Sequence, residues 1–423
     1  ALVYSTFLGG RDYDIGLSIA LDTAGNAYVT GYTFSGQSSF PVKIGPRTIY
    51  SGTPNNWEEA FVAKVNPTGT ALVYCGYIGG PTNDRGFGIA VDRLGNAYVT
   101  GETASASPLP ALIGPDLTPN GGPDAFIAKV RADGTGLLYA GYIGGNSSDY
   151  GYDVVVDGAN SAYIVGRTFS YETSFPDGDG VGTLPGPDRT YAGSSDTFVV
   201  KVKPDGTGLV YVGYVGGSGV EIGNDIAVDE LGNAYLIGET NSRPVDGFPV
   251  LVGPDLVPNG NTDAFVAKVR ANGSGFDYVG YIGGSQIDQG HSIAVDPVGN
   301  AYVVGTTTSD QTTFPEIQGP DLTYNLNSDA FVAKVTFDGT RLIYAGYLGG
   351  NSSELGSGVA VDARGSAYFT GRTEGVNSAF PTRIGPILTA DLGFTTFVTK
   401  VATSPLVGIG VYSPSSGNWV LDT

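Results

Sequence analysis

The chain has 423 residues, with 21 Lys and Arg against 41 Asp and Glu, for a net charge of −20. That balance argues against nucleic acid or an anionic membrane as a partner, since both need a basic patch. No apolar run is long enough to span a membrane as a helix, and the single cysteine, Cys75, excludes an intrachain disulfide and a Cys-based zinc site.

Methionine is absent and the sequence opens at Ala1 inside a strand-like run. The expectation is a mature chain after removal of a leader, located outside the cell or at the cell surface, where scarce Cys and Met suit oxidising conditions. Gly-Gly pairs then recur at Gly9-Gly10, Gly79-Gly80, Gly144-Gly145, Gly216-Gly217, Gly283-Gly284 and Gly349-Gly350. Their spacings are 70, 65, 72, 67 and 66 residues. A fixed period overrides the two or three domains that the length alone would suggest.

Each unit holds four short runs rich in Val, Ile, Tyr and Phe, separated by Gly, Asn, Asp and Pro. In the second unit strand a is Gly88 to Asp92 and strand b is Ala97 to Thr103, joined by a tight turn at Gly95-Asn96. A long excursion leads to strand c, Ala125 to Val130, and a Gly-containing turn leads to strand d, Leu137 to Ile143. Four antiparallel strands repeated six times predict an all-β, six-bladed β-propeller. The repeats fall near 11–80, 81–145, 146–217, 218–284, 285–350 and 351–401, and residues 1–10 match strand d. The predicted ring, residues 1–403, is therefore closed by the N-terminal strand as the outer strand of the last blade. Residues 404–423 lie outside the repeat and read as a β-hairpin tail for packing or assembly, with apolar Val407, Ile409, Val411, Tyr412, Trp419 and Leu421. Leu2 and Tyr4 of the N-terminal strand join them as candidate assembly residues.

The recurring string is carried in the second unit by Ile89-Ala90-Val91-Asp92, Gly95-Asn96-Ala97-Tyr98-Val99-Thr100-Gly101, Ala125-Phe126-Ile127-Ala128-Lys129-Val130 and Tyr77-Ile78-Gly79-Gly80. It resembles the bacterial and archaeal beta-propeller repeat called SBBP, over Ala1 to Val401. The resemblance implies a propeller in secreted or cell-surface proteins and no particular reaction.

Three positions recur with chemistry of their own. An acid stands four residues after each Gly-Gly: Asp14, Asp84, Asp149, Glu221, Asp288 and Glu354. Such a ring is a candidate site for a hard cation such as calcium, and the competing reading is a turn carboxylate that caps backbone N–H groups. A second acid ends strand a, at Asp22, Asp92, Asp157, Asp229, Asp296 and Asp362, where it starts a turn. Strand c carries Lys64, Lys129, Lys201, Lys268, Lys334 and Lys400, expected to form ion pairs between blades. Strand b carries Tyr28, Tyr98, Tyr163, Tyr235, Tyr302 and Tyr368, expected in the core between blades.

The one histidine, His291, occupies a repeat position filled elsewhere by Leu17, Phe87, Tyr152, Asn224 and Ser357, which reads as drift, and adjacent Ser292 should point to the opposite face. Sequons stand at Asn146, Asn272 and Asn351. With no acid–base cluster and no cofactor motif, the expected function is a non-enzymatic extracellular structural protein. It would assemble with itself into a filament or surface layer through its terminal strand and tail. The alternative is a propeller that binds surface glycans or another ligand with its strand b-to-c loops.

Overall fold

The computed structural model describes residues 3–52, 56–105, 109, 113–325, 327–374, 380–381, 393–402, 411–413 and 418–420. It is a six-bladed β-propeller with almost no helix. Blade one is β1 (Asp14–Leu21), β2 (Ala27–Thr33), β3 (Glu59–Val65) and β4 (Leu72–Ile78). Blade two is β5 (Asp84–Val91), β6 (Ala97–Thr103), β7 (Asp124–Val130) and β8 (Leu137–Ile143). Blade three is β9 (Asp149–Val156), β10 (Ala162–Thr168), β11 (Asp196–Val202) and β12 (Leu209–Val215). Blade four is β13 (Glu221–Val228), β14 (Ala234–Thr240), β15 (Asp263–Val269) and β16 (Phe276–Ile282). Blade five is β17 (Asp288–Val295), β18 (Ala301–Thr307), β19 (Asp329–Val335) and β20 (Leu342–Leu348). Blade six contributes β21 (Glu354–Val361), β22 (Ala367–Glu374) and β23 (Phe394–Val401). All pairings are antiparallel between neighbours in sequence. A last hairpin, β24 (Val411–Ser413) and β25 (Asn418–Val420), pairs Tyr412 with Trp419, as the tail pattern suggested.

The inner strand is longer than the sequence pattern indicated. It begins at the acid itself, and three residues on the register slips by one, skipping Leu17, Phe87, Tyr152, Asn224, His291 and Ser357. These are β-bulges, which re-aim a side chain. Innermost strands of successive blades pack on one another in chain order, from β1 on β5 through β17 on β21.

Each interface buries strands b and c of one blade against strands a and b of the next. Tyr28, Ala60 and Val62 meet Ile89, Ala97 and Val99, for example. The Phe of each Phe-Pro landmark sits on the Phe of strand c: Phe40 on Phe61 at 5.3 Å, Phe175 on Phe198 at 5.2 Å, Phe314 on Phe331 at 5.4 Å. The b-to-c excursions then return along the outer edge of strand d, where Cys75 N donates to Ile44 O and Ala140 N to Ile113 O. This covers an edge that would otherwise offer unpaired backbone groups. Cys75 is wholly buried, and burial pushes its thiol up to about 12.

Gly305 shows how tightly strand b is held. A Cβ there would stand 2.0 Å from the Gln289 carbonyl oxygen and 2.5 Å from the Phe331 ring, whereas one at Gly136 meets nothing within 4 Å. We expect Gly305→Ala to lose about 3 kcal/mol in urea unfolding, because backbone must move. Gly136→Ala should stay within about 0.5 kcal/mol. Equal losses would refute the packing described.

Candidate assembly seam and buried carboxyl sites

The seam between blades one and six is open. The repeat makes this measurable, because equivalent residues can be compared. Ile89, Val154, Ile226 and Ile293 are 3–5% exposed, but Ile19 of β1 is 66% exposed. On the facing side Val62, Val199, Val266 and Val332 are fully buried, but Val398 of β23 is 76% exposed. Leu17, Leu21, Tyr368 and Phe394 are exposed with them. The two ends of the row thus display the two halves of an interface that the chain already forms five times between its own blades.

The N-terminal segment sits at this seam. In blades one to four the strand d tyrosine lies over a positive-φ glycine of the next blade, as Tyr74 over Gly134 and Tyr139 over Gly206. Tyr4 lies over Gly69 in the same way, its ring 2.2 Å from where a Cβ would be. Gly10 N donates to Asp14 at 2.6 Å, as Gly80 N does to Asp84 at 2.8 Å. The segment is therefore placed as the strand d of a blade preceding blade one. It forms no strand, and among the described residues the sheet of blade six has three strands, with β23 at its edge. The expected closure of the ring by sheet pairing is corrected accordingly. Blade one holds the segment by side-chain packing, and among the described residues the segment makes no sheet pairing with β23. Leu2, Val407, Ile409 and Leu421 lie outside the described residues. Val411, Tyr412 and Trp419 lie in the tail hairpin.

The acidic ring does not converge on one point. Every member turns back into its own blade and accepts the N–H of the second Gly of its Gly-Gly pair. For Asp149 that bond is 2.8 Å, for Glu221 2.9 Å, for Asp288 2.7 Å and for Glu354 2.8 Å. Hydroxyls complete the set, with Ser170 Oγ on Asp149 at 2.9 Å and Thr240 Oγ1 on Glu221 at 2.7 Å. This is a capping role, and six-fold coordination of one ion by the ring is not the arrangement found. Burial nevertheless pushes Asp84 up to about 7 and Asp149 up to about 6, against the bonds that lower them.

The lysines pair within their own blade, not between blades. Lys64 lies 3.6 Å from Asp22, Lys129 3.6 Å from Asp92, Lys201 3.4 Å from Asp157, Lys334 3.4 Å from Asp296 and Lys400 3.6 Å from Asp362. The reason is register: Tyr28 is opposite Lys64 on the neighbouring strand, so the ammonium sits over that ring, 4.7 Å from its centroid, beside the turn acid. Lys268 sits likewise 4.9 Å from the Tyr235 centroid and donates to Phe337 O of the next blade at 3.2 Å. The tyrosines do bridge blades. Tyr163 OH bonds both Asp157 and Gly232 O at 3.0 Å, and Tyr302 OH both Asp296 and Gly365 O at 3.0 Å. Tyr98 and Tyr235 are as deeply buried, whereas Tyr368 faces the open seam.

Sequence reasoning missed a polar line beside the axis. The residue after the bulge is Asp153 in blade three, Asp225 in blade four and Ser292 in blade five. Asp153 and Asp225 share a hydrogen bond. Ser292 Oγ donates to Asp225 at 2.6 Å and accepts from Val359 N at 3.3 Å. His291 points elsewhere, its Nδ1 2.6 Å from Gly356 O. The signal was a repeat position that is Gly in blades two and six but acidic in two others. Burial first, then Asp225, holds Asp153 well above the usual carboxylate range. The folded chain keeps a proton that the unfolded chain releases, so this stability is full below about pH 4 and is lost as pH rises. We expect the melting temperature of Asp153→Asn minus that of the parent to grow from pH 4 to pH 8. A difference independent of pH would reject the shared proton.

Beside this line, Leu17, Tyr32, Arg85, Phe87 and Tyr152 line an open cleft of about 500 Å³. Arg85 is anchored there by Glu58 at 2.5 Å and Glu102 at 2.9 Å.

Residues 3–36, 74–110, 210–244 and 277–310 match the SBBP family model, a beta-propeller repeat. Four segments of the chain thus match this repeat. Over 314 residues it is 28% identical to the regulatory protein FlaEY of Caulobacter vibrioides, covering 72% of this chain and 31% of that one. The chain thus spans about a third of that relative's length. Among solved structures, polysaccharide lyase Uly1 is similar with a TM-score of 0.41 and 11% identity over 91% of this chain and 77% of that one. A protein of unknown function from Dyadobacter fermentans is similar with a TM-score of 0.43 and 8% identity over 92% and 96%. These are likenesses of fold, and no chemistry passes from them to this chain.

Proposed function

We propose that this SBBP-repeat chain is a non-enzymatic structural protein that works outside the cell and assembles head to tail. The observation that supports this most is the open seam. One end offers a blade with three strands among the described residues, β23 at its edge and Val398 exposed. The other offers Ile19 and a strand d segment seated on Gly69 but unpaired. A copy that gives its N-terminal segment to β23 of its neighbour completes the neighbour's blade by strand addition. Because the two surfaces differ, the contact is heterologous and propagates as a filament unless its rotation closes a ring. The same surfaces could meet within one chain, which would give a monomeric closed propeller.

Electron microscopy and light scattering of the purified full chain decide between these. Filaments or layers, lost when residues 1–10 are removed, are expected; a uniform monomer at all concentrations would sink the proposal. The cleft of Tyr32, Arg85, Phe87 and Tyr152 favours a second reading, a module for glycans, in which aromatic faces and one guanidinium meet a sugar chain.

A further inference from the structure

Four blade interfaces bury carboxylates for which the described residues supply no counter-cation. Strand c begins with Asp124, Asp196, Asp263 and Asp329 in blades two to five, each at most 2% exposed. One oxygen of each is occupied: Asp124 Oδ2 accepts from Asn120 N at 2.8 Å, Asp196 Oδ2 from Ala192 N at 3.0 Å, and Asp329 Oδ2 from Asn325 N at 3.2 Å. The other, Oδ1, receives no donor among the described residues in any of the four, and in blade five the Asp329 carboxyl shares a hydrogen bond with that of Glu354. A buried, unpartnered carboxylate oxygen is costly.

Those orphan oxygens face the Gly-Gly link and the capping acid of the following blade. Asp263 Oδ1 and Asp288 Oδ2 lie 2.2 and 3.0 Å from one point, the Cβ position of Gly283. Asp124 Oδ1 and Asp329 Oδ1 take the same place over Gly144 and Gly349.

Blade one supplies the comparison. There the strand c acid is Glu59, and Arg47 lies 3.6 Å from its Oε1 while donating to the Gly79 carbonyl. The backbone position of Arg47 is fixed by Tyr77 N donating to its carbonyl at 2.9 Å. In the next four blades the same bond, from Tyr142, Tyr214, Tyr281 and Tyr347, ends on Asp116, Asp188, Asp255 and Asp321. At the backbone position where one blade carries Arg, four carry Asp. Each of these raises the cost of ionising the strand c acid in its blade. Each of these carboxylates also closes its own turn, accepting from the N–H of Thr118, Thr190, Val257 or Thr323 through one oxygen.

We propose that a hard divalent cation, calcium by its preference for oxygen, occupies each of these four interfaces in the place the Arg47 guanidinium takes in the first. Among the described residues no three His, Cys, Asp or Glu side chains are grouped closely enough to hold an ion by themselves. The orphan Oδ1 would be a direct ligand, joined by the Gly-Gly carbonyl that Arg47 reaches in blade one. Water would complete the shell, with the Asp at the Arg47 position acting through it, as six to eight oxygens at ~2.3–2.6 Å require.

The test uses the full chain, stripped with EGTA and then dialysed against calcium chloride or magnesium chloride. Four calcium ions retained per chain and a melting temperature raised by calcium are expected. Asp196→Asn should retain one fewer. Arg47→Asp provides a gain of binding that does not depend on loss of stability: it should add a fifth ion. A melting temperature unmoved by calcium, with no retained ion in either protein, overturns the proposal and leaves the pairs as carboxyls sharing a proton.

Discussion

Ile19→Asp and Val398→Asp should each abolish assembly, and a mixture of the two should restore a single contact. Each variant places a carboxylate in one half of the seam, where interior equivalents are 0–5% exposed. Desolvating that charge against apolar side chains should weaken association at least ~100-fold, roughly 2.7 kcal/mol. One variant keeps a sound β23 face and the other a sound β1 face, so the mixture has one compatible pair and should stop at a dimer. Analytical ultracentrifugation reads this directly. A seam that closes within the chain predicts monomers throughout, in the mixture as well. Both side chains are already exposed in the isolated chain, so neither substitution should affect folding of the interior blades.

Lys129→Ala should destabilise the fold by about 2 kcal/mol, while Lys400→Ala leaves the unfolding midpoint of the unassembled chain unchanged. The residues are equivalent in the repeat, but the Lys129 and Asp92 side chains are 8% and 0% exposed, against 50% and 32% for Lys400 and Asp362. Breaking a buried pair leaves a desolvated charge, whereas an exposed pair is screened. The loss at Lys129 falls below the usual ~3–5 kcal/mol because Asp92 keeps bonds from Leu94 N, Asn96 N and Tyr98 OH. Burial also holds the Lys129 ammonium below its ordinary range despite Asp92, so the pair is not fully compensated. Denaturant titration gives both numbers. If assembly covers blade six, Lys400→Ala should become destabilising in the assembled material alone.

The blades were legible because period, turn chemistry and strand composition all agree. Gly95-Asn96 marks the a-to-b turn, Phe126 and Tyr98 mark the packed strands, and Gly79-Gly80 marks the step between blades. The capping reading of Asp84 was legible too, since an acid at fixed spacing from glycine suits a turn. What escaped depends on how side chains are aimed. His291 looked like drift because its repeat position tolerates Leu, Phe, Tyr, Asn and Ser. The structure shows a bulge there, which aims His291 at Gly356 O of the next blade, 2.6 Å from its Nδ1. Asp153 and Asp225 escaped because only the bulge brings them beside one another. Lys129 was assigned to the wrong blade because strand register, not composition, decides which turn acid it reaches. Closure of the ring was read from sequence equivalence of Tyr4 and Tyr74. That equivalence holds for packing on Gly69 and fails for pairing with β23.

The seat of Tyr4 on Gly69 has a kinetic consequence. One tip of any polymer of this chain presents a segment already ordered on its own subunit, while the other presents a bare edge that must capture one. Subunits arriving at the two tips therefore meet different entropic barriers, and elongation should be faster at one tip than at the other. Tyr4→Ala, which releases the segment, should slow growth before it weakens the finished polymer.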